Sequence, residues 1–278
     1  MCDRCVIDRV KSRMMSRRDL FRGMGTGAAA VAAVTAGGIA ARPAFAQDAA
    51  AVGEVTDLTH ELHEDFPTYF GEQQFFVENR FNFAEHGFNL HVLTVNEHTG
   101  THVDAPLHFS ADGQSVAEIP VRDLVVPLAI VDIRAKAAED PDAQVTPDDL
   151  RAWISEHGPL PERACVAMLS GWDKHVNDAK FRNVDGDGRM RFPGFHVEAA
   201  QMLMEEADVV GIAVDTLSLD YGRSEDFATH YAWLPTNRWG LECIANLEAL
   251  PARGATLVVG APKHRAGTGG PARVFALA

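Results

Sequence analysis

The stretch HTGTHVDAPLH, from His98 to His108, concentrates side chains that bind metal ions: three histidines and one aspartate in eleven residues. His102 and Asp104 are two residues apart, so on an extended backbone both side chains point to the same side. A bend at Thr99-Gly100 would bring His98 to join them. Two imidazoles and a carboxylate form a ligand set that suits Zn²⁺ and is also reasonable for Mn²⁺. The stretch therefore predicts a divalent metal site.

His108 is a candidate proton carrier at that site. It follows Asp104 by four residues, beyond a proline that directs the chain. We expect it to reach a water bound to the ion without being a ligand. Histidine titrates at about pH 6.5, so His108 can take a proton from water and pass it to a leaving group. The alternative is a loop whose histidines are solvated, or satisfied in the core.

A second ion would need further ligands, and the sequence offers His230 with Glu242. The other histidines are scattered, whereas Glu242 follows His230 by twelve residues inside the apolar stretch GLECIANL. A buried carboxylate is costly unless it is paired or bound to a cation. The spacing alone does not decide whether His230 and Glu242 bind an ion.

Such a site favours hydrolysis. A divalent ion lowers the pKa of bound water from about 15.7 toward about 7. We expect metal-bound hydroxide to attack a carbonyl carbon while His108 transfers a proton to the leaving amine. Aromatic residues near the motifs either stack on a planar substrate or belong to the core: Phe70, Phe88, Trp172, Trp233 and Trp239. Three residues are alternative donors to an oxyanion: Asn96, Thr101 and Ser218.

Strands and helices must position these residues. Several strand-like runs are near-continuous in apolar residues, which favours strands covered on both faces. The runs are Leu90–Val95, Leu124–Ile133, Cys165–Leu169, Val209–Val214 and Thr256–Val259. Helices are predicted at Thr146–Gly158, with Thr at the N-cap and Pro next, and at His196–Ala207. The order predicts a single compact α/β domain with a mixed sheet and at least one βαβ unit.

Composition limits the class of protein. The chain has 278 residues, 46% of them hydrophobic, which is enough for a sizeable core. Its formal net charge of −14 disfavours binding to nucleic acid or to an anionic membrane surface. Cys165 and Cys243 are interpreted as buried free thiols, because a core of this size does not need a disulfide.

The first 46 residues have the pattern of an export signal. Basic residues outnumber acidic ones by eight to three there. An uncharged run from Gly23 to Ala41 follows, and then the small-residue site Ala44-Phe45-Ala46. Ser16–Arg22, SRRDLFR, resembles the twin-arginine export motif. The alternative is a membrane-spanning anchor, since about 19 apolar residues are long enough. We expect residues 1–46 to be cleaved and residues 47–278 to be periplasmic or secreted, without a stable membrane anchor and after transient contact with the twin-arginine machinery.

HTGTHVDAPLH resembles the H-x-G-T-H-x-D-x-P-x-H signature of the putative cyclase family, which includes bacterial kynurenine formamidases (arylformamidases) and isatin hydrolases. Further matches are DLTHEL (Asp57–Leu62), GWDKH (Gly171–His175), GIAVDTLSLD (Gly211–Asp220) and the late His…Glu pair. Together they extend over nearly all of residues 47–278.

The resemblance implies a fold of the swivelling β/β/α type, in homodimers or homotetramers. It implies a first metal ion bound by His98, His102 and Asp104. It implies a second ion bound by Asp104, His230 and Glu242, and a proton-transferring role for His108. Some isatin hydrolase-like members have an amide at the glutamate position and hold one ion, so Glu242 favours two, either Zn²⁺ or Mn²⁺.

The function expected from these features is hydrolysis of a small-molecule aryl formamide or cyclic amide. A lactone hydrolase or a cyclase/dehydratase could use the same site, and a non-catalytic exported metal-binding protein is a third interpretation. Kynurenine formamidase acts on a cytoplasmic compound, so an export signal departs from that member and leaves the substrate open.

Overall fold

This computed structural model describes residues 53–278. Residues 1–52 lie outside the described part, and with them the predicted export signal at residues 1–46. Within residues 53–278, no helix has both the length and the apolar character needed to span a membrane.

A nine-stranded mixed sheet dominates the described residues and agrees with the predicted α/β class. The strands of this sheet are β1 Val55–Asp57, β4 His102–Asp104, β5 Val125–Asp132, β7 Ala164–Leu169, β9 Val209–Val214, β10 Trp239–Glu242, β11 Arg253–Gly260, β12 Gly269–Pro271 and β13 Arg273–Leu277. Their spatial order is β1-β13-β11-β5-β7-β9-β10-β4-β12. Strands β5, β7, β9 and β10 are parallel, and antiparallel strands flank them on both sides.

The remaining elements are shorter pairs of strands and the helices. Two separate strand pairs are β2 Phe75–Phe81 with β3 Leu90–Val95, and β6 Gln144–Val145 with β8 Gly194–Phe195. The α-helices are α1 Phe83–His86, α2 Arg134–Glu139, α3 Pro147–His157, α4 Val197–Glu206 and α5 Ala228–Trp233. Single 3-10 turns occur at Pro106–Phe109, Val121–Asp123, Trp172–His175, Leu234–Thr236 and Leu247–Ala249.

The parallel centre of the sheet is buried on both faces, as its apolar runs predict. On one face, alternate side chains of β5, β7 and β9 pack with Leu150 and Trp153 of α3 and with Leu203 of α4. On the other face, the intervening side chains pack with strands β10, β11 and β13. The sequence of these strands is continuously apolar because neither of their faces meets water.

Helix α3 begins where its sequence predicts. The Thr146 hydroxyl accepts from the backbone N–H of Asp149, and the Asp149 carboxylate accepts from the backbone N–H of Thr146. This reciprocal capping box provides acceptors for two backbone N–H groups that have no partner within the helix. Helix α4 begins after His196, whose side chain accepts from the N–H of Glu198.

Residues 77–93 belong to a separate compact unit. Strand β3 has the predicted bounds, but all six of its residues are exposed, so its apolar run does not mark a strand covered on both faces. Large exposed side chains on this unit include Phe83, Leu90 and Leu93. Burial on both faces therefore does not explain the apolar sequence of β3, although it explains the apolar sequence of the strands at the sheet centre.

Candidate metal centre

Strand β4 lies between β10 and β12 and positions the centre. The antiparallel register sets Glu242 of β10 directly opposite His102. Directly opposite residues point to the same side of a sheet, so a carboxylate 140 residues away along the chain meets the imidazole. His102 Nε2 lies 3.3 Å from Glu242 Oε2 and 3.3 Å from Asp104 Oδ1. These three side chains are buried.

His98 joins them through a bend at Gly100. Gly100 has φ of +68°, a left-handed conformation that favours glycine. A Cβ there would also lie 2.9 Å from Leu62 Cδ1. The bend returns the chain so that His98 Nδ1 lies 2.8 Å from Asp104 Oδ1. The structure thus places His98, His102 and Asp104 together.

His230 and Glu242, whose spacing did not decide whether they bind an ion, also lie at this centre. His230, near the start of α5, has its Nε2 3.2 Å from Glu242 Oε1 and 3.6 Å from Asp104 Oδ2. The two oxygens of Asp104 therefore face different histidines. Oδ1 faces His98 and His102, and Oδ2 faces His230.

The electrostatics of the centre call for positive charge. Burial alone would lower the pKa of His102, but its contacts with Asp104 and Glu242 outweigh burial and raise that pKa to about 10. Burial would likewise lower the pKa of His230, but the same carboxylates, with Asp220, hold that pKa well above its usual value. Burial would raise the pKa of Asp104, but the three histidines around it hold that pKa well below the usual range.

These residues fit a divalent metal ion. His102, Asp104 and Glu242 each offer a ligand atom within 4.8 Å of the others. His102 Nε2 and Asp104 Oδ2 are buried and have no hydrogen-bond partner among residues 53–278, an arrangement that costs free energy unless a cation meets them. Imidazole nitrogens with carboxylate oxygens are donors that Zn²⁺ and Mn²⁺ both accept.

Glycines on both neighbouring strands keep the space beside Asp104 open. Gly240 of β10 and Gly269 of β12 are its direct partners in the sheet. A Cβ at Gly269 would lie 2.7 Å from Cε1 of His98, and one at Gly240 would lie 2.7 Å from Cδ1 of Leu219. Larger residues would therefore displace the side chains that form or support the centre.

His108 lies on the 3-10 turn that follows β4. Its ring stacks on His98 with 3.7 Å between centroids and lies 6.0 Å from the ring of His230. Burial, together with the nearby histidines, lowers the pKa of His108 to about 4 despite Asp104 and Glu242. One of its nitrogens is within 4.8 Å of ligand atoms on His98 and Asp104. This position suits a proton carrier and is also close enough for a ligand.

The centre opens into a pocket of about 370 Å³. Aromatic rings form much of its wall: Tyr69, Phe70, Phe109 and Phe227. Of the aromatic residues proposed from the sequence, only Phe70 is among them. Trp233 and Trp239 belong to the core and donate their indole N–H groups to backbone carbonyls, Trp172 packs in another buried cluster, and Phe88 lies in the separate unit.

Two of the suggested oxyanion donors, Asn96 and Ser218, line this pocket. The third, Thr101, supports the turn instead. Its hydroxyl donates to the backbone carbonyl of Cys243 at 2.5 Å and accepts from the N–H of His60 at 3.0 Å. The DLTHEL segment thus holds the HTGTH turn in place. Cys165 and Cys243 are free and buried, as their sequence context predicts.

The sequence did not point to three side chains that orient histidines of the centre. Asp220 and Thr268 contact these histidines directly, and Glu97 acts through Thr268. Asp220 accepts from Nδ1 of His230 at 2.6 Å. Thr268 lies 2.8 Å from Nε2 of His98, and Glu97 binds Thr268. Asp220 stands in an apolar run, GIAVDTLSLD, where an unexplained carboxylate is a usable signal. Nothing in the sequence relates Thr268 to a histidine 170 residues earlier.

The chain is similar in sequence to proteins of one known family. The model of the putative cyclase family matches residues 56–221. An isatin hydrolase from Roseibium aggregatum is 34% identical over 195 residues, which cover 66% of this chain and 73% of that protein. A kynurenine formamidase from Bacillus anthracis is 37% identical over 78 residues, which cover 28% of this chain and only 37% of that protein.

Solved structures show the same likeness. Isatin hydrolase A from Labrenzia aggregata, bound to benzyl benzoate, superposes with a TM-score of 0.76 at 36% identity, covering 81% of this chain and 94% of that one. The chain therefore belongs to the putative cyclase family, and it is a hydrolase.

Proposed function

We propose that the protein hydrolyses a neutral cyclic amide fused to an aromatic ring, an isatin-like lactam, and opens it to the amino acid. The observation that carries this proposal is one pocket that combines aromatic walls with the histidine–carboxylate centre at its base. A planar aromatic amide would stack on Tyr69 or Phe109 while its carbonyl reaches the centre. The isatin hydrolase relatives support the same substrate class.

The charge of the pocket favours a neutral substrate over N-formylkynurenine. The described residues that line it include no lysine and no arginine. N-formylkynurenine carries an amino acid group with a carboxylate, and a carboxylate bound away from water needs a cationic or N–H partner. Isatin has no such group. The aryl formamide therefore becomes the second candidate, supported by the shorter formamidase match.

The proposed ligands divide into two sets that share Asp104. His98, His102 and Asp104 would hold one ion, and Asp104, His230 and Glu242 would hold the other. The ions, Zn²⁺ or Mn²⁺, supply Lewis acidity toward the carbonyl oxygen and lower the pKa of bound water. The two oxygens of the Asp104 carboxylate face different histidines, Oδ1 toward His102 and Oδ2 toward His230. This division supports a pair of ions.

His108 would move the proton in this reaction. Among the described residues, no carboxylate is hydrogen-bonded to its ring, whereas Asp220 is hydrogen-bonded to the ring of His230. The ring of His108 also lies against the pocket. An imidazole nitrogen of His108 would take a proton from the attacking water and return it to the ring nitrogen of the lactam as the C–N bond breaks. Phe109 packs against His230 at 4.6 Å between ring centroids and forms part of the pocket wall beside it.

The test is ultraviolet-monitored hydrolysis of isatin and of N-formylkynurenine by the Mn²⁺- or Zn²⁺-loaded protein. We expect isatin turnover, which His102→Ala abolishes with loss of metal. His108→Gln should keep the metal and lower kcat by about 10²- to 10⁴-fold. His63→Ala is the matched control, because His63 is exposed and outside the pocket. Turnover of N-formylkynurenine alone would replace the proposed substrate, and activity that survives in His102→Ala would refute the metal centre.

Export to the periplasm or the medium is also part of the proposal. Its support is the order of Ser16–Arg22, the uncharged run from Gly23 to Ala41, and Ala44-Phe45-Ala46. A protein exported in this way would meet external aryl amides rather than a cytoplasmic intermediate.

A further inference from the structure

The segment before β12 reaches the centre from the far end of the chain. Gly269 pairs with Asp104, and the N–H of Ala105 donates to the carbonyl of Thr268 at 2.9 Å. A Cβ at Gly269 would collide with the carbonyl oxygen of Val103, so the close approach of the two strands requires glycine here. This pairing fixes Thr268 beside the His98 ring.

The hydrogen bonds of Thr268 have a defined direction. Its hydroxyl lies 2.5 Å from Glu97 Oε2, and a carboxylate only accepts, so the hydroxyl proton goes to Glu97. The same oxygen lies 2.8 Å from Nε2 of His98 and must therefore accept the Nε2–H of that ring. The other nitrogen, Nδ1, then presents its lone pair toward Asp104 Oδ1 at 2.8 Å. Two acceptors at this distance repel each other unless positive charge meets them.

Glu97 is itself held in place. Its carboxylate accepts from the backbone N–H of Thr268 and from Nε2 of His264 at 2.5 Å. The chain of contacts runs from His264 through Glu97 and Thr268 to His98. Each link limits the rotation of the next, so the orientation of the His98 ring is fixed from outside the pocket.

We propose that Thr268, oriented by Glu97, is a positioning residue that fixes the tautomer of His98 so that Nδ1 binds the first metal ion. The inference rests on the metal centre of the proposed function, but it concerns metal binding and not turnover. His230 is oriented differently, directly by Asp220, so the two metal sites depend on different outer residues.

The test measures how tightly Mn²⁺ binds to the metal-free full chain. The electron paramagnetic resonance signal of the unbound ion reports the amount bound. We expect Thr268→Val to weaken one of two bound ions by about 10- to 100-fold, the usual effect of losing an outer partner of a histidine ligand. Thr268→Ser keeps the hydroxyl and should restore binding. Thr146→Val is the matched control, because the half-buried Thr146 hydroxyl also donates to a carboxylate, that of Asp149, and neither residue belongs to the metal centre.

The melting temperature of each metal-free variant separates positioning from folding. A Thr268→Val protein that binds both ions like the wild type would overturn the inference. So would a Thr268→Ser protein as defective as Thr268→Val, or a wild type that binds no Mn²⁺. If Thr268→Val does not fold, Glu97→Gln takes its place, with weakened binding of the same ion expected and unchanged binding contradicting the inference. Normal metal binding without isatin turnover would refute the proposed substrate alone.

Discussion

Each histidine ligand proposed here has one ring nitrogen occupied by a different partner. Nδ1 of His102 donates to the carbonyl of Gly100, which leaves Nε2 facing the carboxylates. Nδ1 of His230 donates to Asp220. A hydrogen bond on one nitrogen selects the tautomer and directs the other toward the ion. Residue type therefore identifies a possible ligand, and the second contact decides which atom binds.

Asp220→Asn tests this reasoning at the second ion. The amide would offer one oxygen where the Asp220 carboxylate now accepts from Nδ1 of His230 and from the N–H groups of Thr229 and His230. We expect about 10- to 100-fold weaker binding of that ion, with the first ion retained. Metal titration by calorimetry measures both. Asp226→Asn, at an exposed carboxylate of the same loop, is the control. Loss of both ions together would contradict separate support of the two sites.

The predicted ligands could be named from the sequence because they are concentrated or unusual. Three of them lie within HTGTHVD, and Glu242 stands out in an apolar run. Among the outer partners, Thr268 could not be found in this way, because threonine is common in turns. Asp220 could have been found, because its carboxylate ends the largely apolar run GIAVDTLSLD.

At the scale of elements, short-range signals determine where helices begin. The N-cap threonine, the following proline and the acidic first turn of α3 all lie within a few residues of one another. The predicted bounds of Thr146–Gly158 agree with the helix within one residue at each end. Strand runs at the sheet centre are also recovered, because burial on both faces leaves a continuous apolar sequence.

Thr146→Ala should destabilise the protein by about 1 kcal/mol, because it removes the N-cap acceptor of α3. Its hydroxyl also donates to Asp149, so the capping box is lost as a unit. Urea denaturation monitored by circular dichroism measures the change. Ser155→Ala, on the exposed side of the same helix, should change the free energy of unfolding little. Equal effects of the two variants would count against the capping box.

At the scale of the whole molecule, the exposed apolar residues of the separate unit need an explanation. Phe83 is 58% exposed and Leu93 is 56% exposed, with Leu90 and Val92 exposed beside them. A concentration of large apolar side chains on one short segment is characteristic of a protein–protein contact. The homodimer or homotetramer expected from the family resemblance would cover this surface with a second copy of this chain.

We therefore expect a dimer or tetramer in solution, which Phe83→Asp with Leu93→Asp should dissociate by placing charge in the contact. Light scattering coupled to size-exclusion chromatography measures the mass. Val121→Asp is the control, because Val121 is 71% exposed but lies outside this segment. A monomeric wild type, or the same dissociation caused by Val121→Asp, would remove the prediction.

The sequence by itself determined the ligand types, the turn at Gly100, the buried strands and the start of α3. All of these depend on residues close together along the chain, where backbone preferences and periodicity act directly. Only the tertiary structure decided that His102 faces Glu242, that Thr268 holds His98, and that Tyr69 and Phe109 rather than Trp233 form the pocket wall. Those contacts follow from strand register and from the packing of distant segments, and a one-residue shift in register would turn each side chain to the opposite face.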